Sequence, residues 1–98
     1  MRMPRQPPKV DKLAIAADAA RSLFADNVRA QRGARTQESI EARGGPEQSR
    51  LSRIERGETR LVNFEALINL CVALDCMPSQ LFDGLDHVVV AAGELAST

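Results

Sequence analysis

Three observations predict an all-helical fold for this 98-residue chain. Leu13, Ala16, Ala20, Phe24 and Val28 recur at helical spacing through an alanine-rich stretch. Two short polar helices flank the turn Gly44-Gly45-Pro46. A strongly apolar helix follows, with Asn63 placed to cap it. The length suits one small domain, and 44% hydrophobic residues are enough to fill its core. Aromatic residues make up only 3%, with no Trp or Tyr, so that core must be aliphatic and a stacking platform for single-stranded nucleic acid is disfavoured.

Taken in order, residues 1–10 hold three prolines and three basic groups, which predicts a flexible arm, either a disordered leader or a source of phosphate contacts. From Asp11, a potential cap, to about Arg32 the chain reads as one long helix or two with a break near Asp26, with Gly33 weakening its end; core packing accounts for its apolar residues. Thr36 caps the next helix, through Arg43, and Glu38 favours its first turn. The helix 47–56 stops at Gly57. After a polar loop, Phe64 to Leu74 is apolar on most of its sides, which predicts a central element ended by Asp75. Pro78 suits the first turn of a short helix through Leu81 and Phe82, closed by Gly84. Residues 85–98 read as a tail in which Val88-Val89-Val90 favours a strand, paired with its copy in a dimer, laid over the apolar helix, or left as a frayed end. The expected organisation is therefore an arm (1–10), a helical domain (11–84) and a tail with a possible dimerisation role (85–98).

The stretch 47–57 organises the rest. At about 100° per residue Leu51 and Ile54 share one face, while Ser49, Ser52, Arg53 and Arg56 share the opposite one with Gln48 at its edge. Two hydrophobes anchoring a helix that points polar groups outward suit the DNA major groove, and equally a solvated amphipathic helix. Charge adds a direction. Residues 29–60 carry eight arginines against five glutamates, whereas residues 61–98 carry five acids and no Lys or Arg. Such a polarity orients a protein on a polyanion, basic end first.

Other classes are disfavoured. Cys71 and Cys76 lie in an apolar stretch and read as small buried hydrophobes of a reducing compartment; with only His87 to join them, no metal site is expected. One histidine, no phosphate-cradling glycine loop and scattered carboxylates argue against an enzyme, and no cofactor is expected. No apolar run reaches the ~20 residues of a membrane span and no signal peptide is seen, which predicts a cytoplasmic protein without a membrane partner.

Thr36-Gln37-Glu38, Ile40, Gly45, Gln48-Ser49, Leu51 to Gly57, Phe64, Leu67, Leu70, Ala73-Leu74 and Leu81-Phe82 together resemble the lambda repressor/Cro-type helix-turn-helix proteins, the xenobiotic-response-element family, over about residues 22–84. The resemblance implies a five-helix domain, here with an N-terminal helical extension and a short C-terminal tail. It implies a transcriptional regulator, typically a repressor, that binds double-stranded DNA as a homodimer. It places Gln48, Ser49 and Arg53 against base edges, and Thr36, Gln37, Arg50, Arg56 and Arg60 near phosphates. Gln37 would also brace the start of the third helix, and Glu55 would form a structural ion pair with Arg32. The chain departs from the pattern before the second helix, where it is two residues short, and at Gln31, Glu41, Gly44 and Pro46. Those departures predict a second helix that is loosely anchored, shifted in register or displaced, with Glu41 and Glu47 adding negative charge near the DNA face. An alternative function is a protein-interaction module of the same fold, such as an antitoxin or an adaptor, with its partner bound through the acidic C-terminal half.

Overall fold

The computed structural model describes residues 9–58 and 63–96, which form six helices and no strand. They are α1 (Lys9–Arg32), α2 (Gln37–Ala42), α3 (Gln48–Glu55), α4 (Phe64–Leu74), α5 (Pro78–Leu81) and α6 (Leu85–Ala96). Of the predicted arm, residues 1–8 lie outside the described residues, as do Arg60, Leu61 and Val62 of the polar loop.

α1 starts two residues ahead of Asp11 and runs through Asp26 without a break, about 36 Å at 1.5 Å per residue. Its two halves have different neighbours. Phe24, Ala25 and Val28 of the second half are buried in the core. Leu13 and Ile15 of the first half are 48% and 67% exposed, so core packing does not account for them. The side-chain amide of Asn27 ties α1 to the end of α5, donating to the Leu81 and Asp83 carbonyls at 2.9 Å each.

The core gathers Val28, Ile40, Leu51, Ile54, Leu70, Ala73, Leu74 and Leu81 from the first five helices. Local signals set most of their ends. Thr36 Oγ1 accepts the Ser39 N–H at 3.1 Å, and Asn63 Oδ1 accepts the Ala66 N–H at 2.8 Å. α3 closes with paired hydrogen bonds from Gly57 N–H to the Ile54 carbonyl and from Glu58 N–H to the Arg53 carbonyl. α4 closes the same way on Asp75, whose φ of 56° is left-handed. This closure puts Cys71 and Cys76 at the two contacting positions of the motif, both buried. Burial first, and Cys71 beside it second, push the Cys76 thiol up to about 11, which keeps it protonated.

The expectation of a loose second helix is not met. Ile40 is fully buried between α3 and α4. The turn after it depends on both glycines for different reasons. Gly44 has φ of 93°, and its N–H bonds the Glu41 carbonyl at 3.0 Å. At Gly45 a Cβ would lie 2.8 Å from Ile40 Cγ2 and 3.0 Å from the Ala73 Cβ, so the missing side chain lets the turn close onto α2 and α4.

Two further readings are corrected. The valine run is helical: α6 lies along the first half of α1 with Leu85, Val88 and Ala92 half-buried. A helix satisfies its own backbone groups, whereas a strand here would need a partner that the described residues do not supply. Packing on α1 therefore outweighs a valine preference of only a few tenths of a kcal/mol per residue. α4, expected to be enclosed, buries Ala66, Leu70, Cys71, Ala73 and Leu74 but leaves Phe64, Ile68 and Val72 exposed in a row at i, i+4 and i+8.

Gly45→Ala tests the tight turn. It should cost about 1–3 kcal/mol by overpacking and lower the melting temperature by several degrees in circular-dichroism scans. An unchanged melt would mean that α2 yields to the added methyl group.

Candidate nucleic-acid interface

α3 is a polar ridge on an apolar footing. Leu51 and Ile54 are buried at 0% and 2% exposure, while Gln48, Ser49, Arg50, Arg53 and Arg56 are exposed. The eight-residue helix is about 12 Å long, a length the major groove accommodates. The side chains of Arg50 and Arg53 make no hydrogen bond or salt bridge with the described residues, although Arg53 lies near enough to Glu58 to help hold its carboxyl ionised. Among the residues expected at base edges, Gln48 and Ser49 sit at the start of α3 and Arg53 one turn further along, all on its exposed side.

The amino end of α3 is held by a residue that sequence reasoning had placed as a misfit. Glu47 occupies the cap position but makes no side-chain cap bond; its carboxylate instead accepts the Ser49 hydroxyl at 3.3 Å. Glu41, from α2, accepts the Gln48 N–H on Oε1 at 2.6 Å. A carboxylate on a helix N-terminus gains from both the charge-assisted bond and the helix dipole. Its position, seven residues before Gln48, lies beyond any local capping pattern, so no sequence signal marked this role.

The carboxyl end is held by Glu55, 4% exposed. Arg32 grips it in bidentate fashion, Nε to Oε2 and Nη2 to Oε1, both at 2.7 Å. The hydrogen bond to Glu55 raises the Arg32 pKa further above its ordinary value, against the opposing effect of burial. Gln37 Nε2 adds a donor to Oε1 at 3.2 Å. Gln37 thus braces the end of α3, and its expected role at the start falls to Glu41. Arg29 Nη1 donates to the Glu55 carbonyl and pairs with Asp26 through Nη2. Arg32 Nη1 reaches the Arg35 carbonyl at 2.7 Å, and Arg35 in turn donates to the carbonyls of Gln31 and Leu74 at 2.7 and 3.0 Å. These arginines hold helix ends together.

The residues expected near phosphates divide. Arg50 is exposed on α3. Thr36 is exposed with its oxygen accepting the cap bond, which leaves its hydroxyl proton to donate, although Gln37 is turned to Glu55. Arg56 is engaged: Nε and Nη2 each contact the Glu58 carboxylate at 3.1 Å and Nη1 donates to Ser52 Oγ at 2.9 Å. The hydrogen bonds from Arg56 to Glu58 hold the Glu58 carboxyl below its usual range. Arg60 lies outside the described residues. Arg43, exposed at the carboxyl end of α2, is a further cation that the sequence reading did not assign.

The sequence model of the Cro/C1-type helix-turn-helix DNA-binding domain matches residues 26–84. That span holds all of α2 to α5 and the last seven residues of α1, and leaves out the first part of α1 and all of α6. No curated protein and no solved structure matches the chain. Among the described residues, no helix is long and apolar enough to cross a membrane.

The two braces are separable by mutation. Glu55→Ala should cost about 2–3 kcal/mol in urea denaturation, because it leaves Arg32 partly buried without its partner, discounted for the solvent that still reaches the guanidinium. Glu41→Ala should cost about 1 kcal/mol, as for a lost helix cap, and Glu41→Gln should recover part of it. Equal costs for Glu41→Ala and Glu41→Gln would show that the charge, rather than the acceptor oxygen, is what matters.

Proposed function

The chain belongs to the Cro/C1-type helix-turn-helix DNA-binding family, and from that premise we propose that it is a cytoplasmic, sequence-specific regulator of double-stranded DNA that acts as a homodimer and reads the major groove with α3. The observation that carries this reading is a helix fixed at both ends by Glu41 and Glu55 whose outward side presents Gln48, Ser49, Arg50 and Arg53. Glutamine can bond an adenine edge and arginine a guanine edge with two hydrogen bonds each. Arg50 and Thr36 add phosphate contacts that fix position without reading sequence. A single helix covers few base pairs, so two copies on half-sites about one turn apart supply the specificity. Repression by occupying a promoter is the simplest regulatory outcome.

Selection from a pool of randomised duplex DNA at two salt concentrations tests this directly. An enriched two-fold-symmetric motif whose binding weakens as salt rises is expected. On that motif Arg53→Ala should cost about 1–3 kcal/mol and relax one base preference, whereas Arg50→Ala should weaken cognate and scrambled duplexes alike. Equal losses on both duplexes for the two variants would remove Arg53 from base readout.

One observation favours a second reading, a protein partner such as the toxin of an antitoxin pair. The exposed row Phe64, Ile68 and Val72 lies in the acidic half of the chain, close to exposed Met77. Exposed apolar clusters of this kind mark interaction surfaces. Phe64→Lys should then abolish co-purification of that partner while leaving α3 binding to DNA intact; loss of neither would retire this reading.

A further inference from the structure

The exposed face of α4 carries more than its apolar row. Phe64, Ile68 and Val72 are 82%, 58% and 66% exposed and follow one another at about 6 Å along the helix, a span of about 12 Å from first to last. Beyond Val72, where α4 turns into α5, a groove of about 460 Å³ opens. Ile68, Val72, Met77 and Pro78 are among its walls, and the buried Cys71 and Cys76 line it too. Met77 is exposed, and its unbranched side chain adapts to what it meets.

A bare apolar row suits many partners, and its borders are what discriminate. Residues 61–98 hold five acids and no Lys or Arg. At about 100° per residue Glu65 falls within about 20° of Val72 around α4, so it flanks the row. Asp75 lines the groove at the far end. Both are exposed, and neither ion-pairs among the described residues. Arg35 reaches the end of α4, but its guanidinium is turned to the backbone carbonyls of Gln31 and Leu74. The patch is therefore apolar along its middle and acidic at both ends.

These borders exclude most occupants. Acidic ends repel a nucleic acid and the anionic surface of a membrane. A second copy docked about a two-fold axis would set the same patch against itself, carboxylate against carboxylate. The described residues hold no strand, so an extended partner has no sheet edge to join. The groove lining holds no aromatic residue, which a proline-rich partner would need. A helix meets what remains: it satisfies its own backbone, and apolar side chains one turn apart match the repeat of the row. We infer that the α4 row and the groove beyond it seat an amphipathic helix of another protein, one whose apolar side is bordered by lysine or arginine. This names the chemistry of the protein partner in the second reading above and rests on that reading.

Fluorescence anisotropy of labelled helical peptides, titrated with the full chain, tests the inference. One peptide carries leucine at i, i+4 and i+8 flanked by lysine, a second has glutamate in place of each lysine, and a third scrambles the first. The lysine peptide should bind with an affinity that falls as salt rises. The other two should bind at least about tenfold more weakly. Ile68→Ser should weaken the lysine peptide by about tenfold or more. Glu65→Gln combined with Asp75→Asn should close most of the gap between the lysine and glutamate peptides, and asparagine accepts the left-handed backbone at position 75. All three side chains are exposed, so the helix content of the variants should match wild type. Equal binding of the three peptides, or lysine-peptide binding that ignores Ile68→Ser, would overturn the inference. So would self-association of the chain that Ile68→Ser abolishes, since a second copy would then hold the patch. Should Phe64→Lys remove a co-purifying partner while the lysine peptide fails to bind, this inference falls and the partner reading stands.

Discussion

The grip of Arg32 on the Glu55 carboxylate is the constraint on which the arrangement of α1, α2 and α3 depends. Glu55 is buried at 4% exposure, where an unpaired carboxylate would be costly, and each of its oxygens finds a donor: Oε2 from Arg32, Oε1 from Arg32 and Gln37. Those donors sit on α1 and α2, so satisfying one carboxylate fixes the end of α3 against two other helices. Arg29 extends the contact to the Glu55 backbone carbonyl, placing positive charge at the carboxyl end of the helix where its dipole favours it.

A helix that reads DNA needs its outward side chains open and its backbone held still. Here the two tasks fall to different residues. Glu41 and Glu55, one at each end, hold the backbone, and Gln48, Ser49, Arg50 and Arg53 are left outward. Acids around the basic ridge moderate it. Arg56 is paired with Glu58 at 3.1 Å, an exposed contact that any other anion would have to displace. The basic stretch 29–60 and the acidic stretch 61–98 still give the chain a polar charge distribution.

The apolar surface left outside the core falls in two places of different character. The row on α4 belongs to the helix-turn-helix domain, at the edge of its acidic half, while the α1–α6 hairpin is an addition to it. A lone row of three side chains on a single helix is compatible with many partners.

Much of the fold was legible in the sequence wherever a feature is written in a few consecutive residues. Thr36, Asn63 and Pro78 open helices, Gly57 and Asp75 end them, and the spacing of Leu51 and Ile54 gives the buried side of α3, all within one or two turns. The polar side of α3 followed from the same periodicity. What tertiary structure alone decided involves residues far apart in the chain. Glu41 became a cap because α2 brings it to Gln48, and Gln37 turned to Glu55 across 18 positions. Val88 to Val90 became helical because α1 offers a side to pack on, which outweighs a small local preference for strand. Phe64 and Ile68 stayed exposed because periodicity measures apolar content and not which neighbours arrive to cover it. Local hydrogen bonding and steric preference are thus written in sequence order, whereas which charge meets which donor, and which apolar side is left open, is set only when distant segments meet.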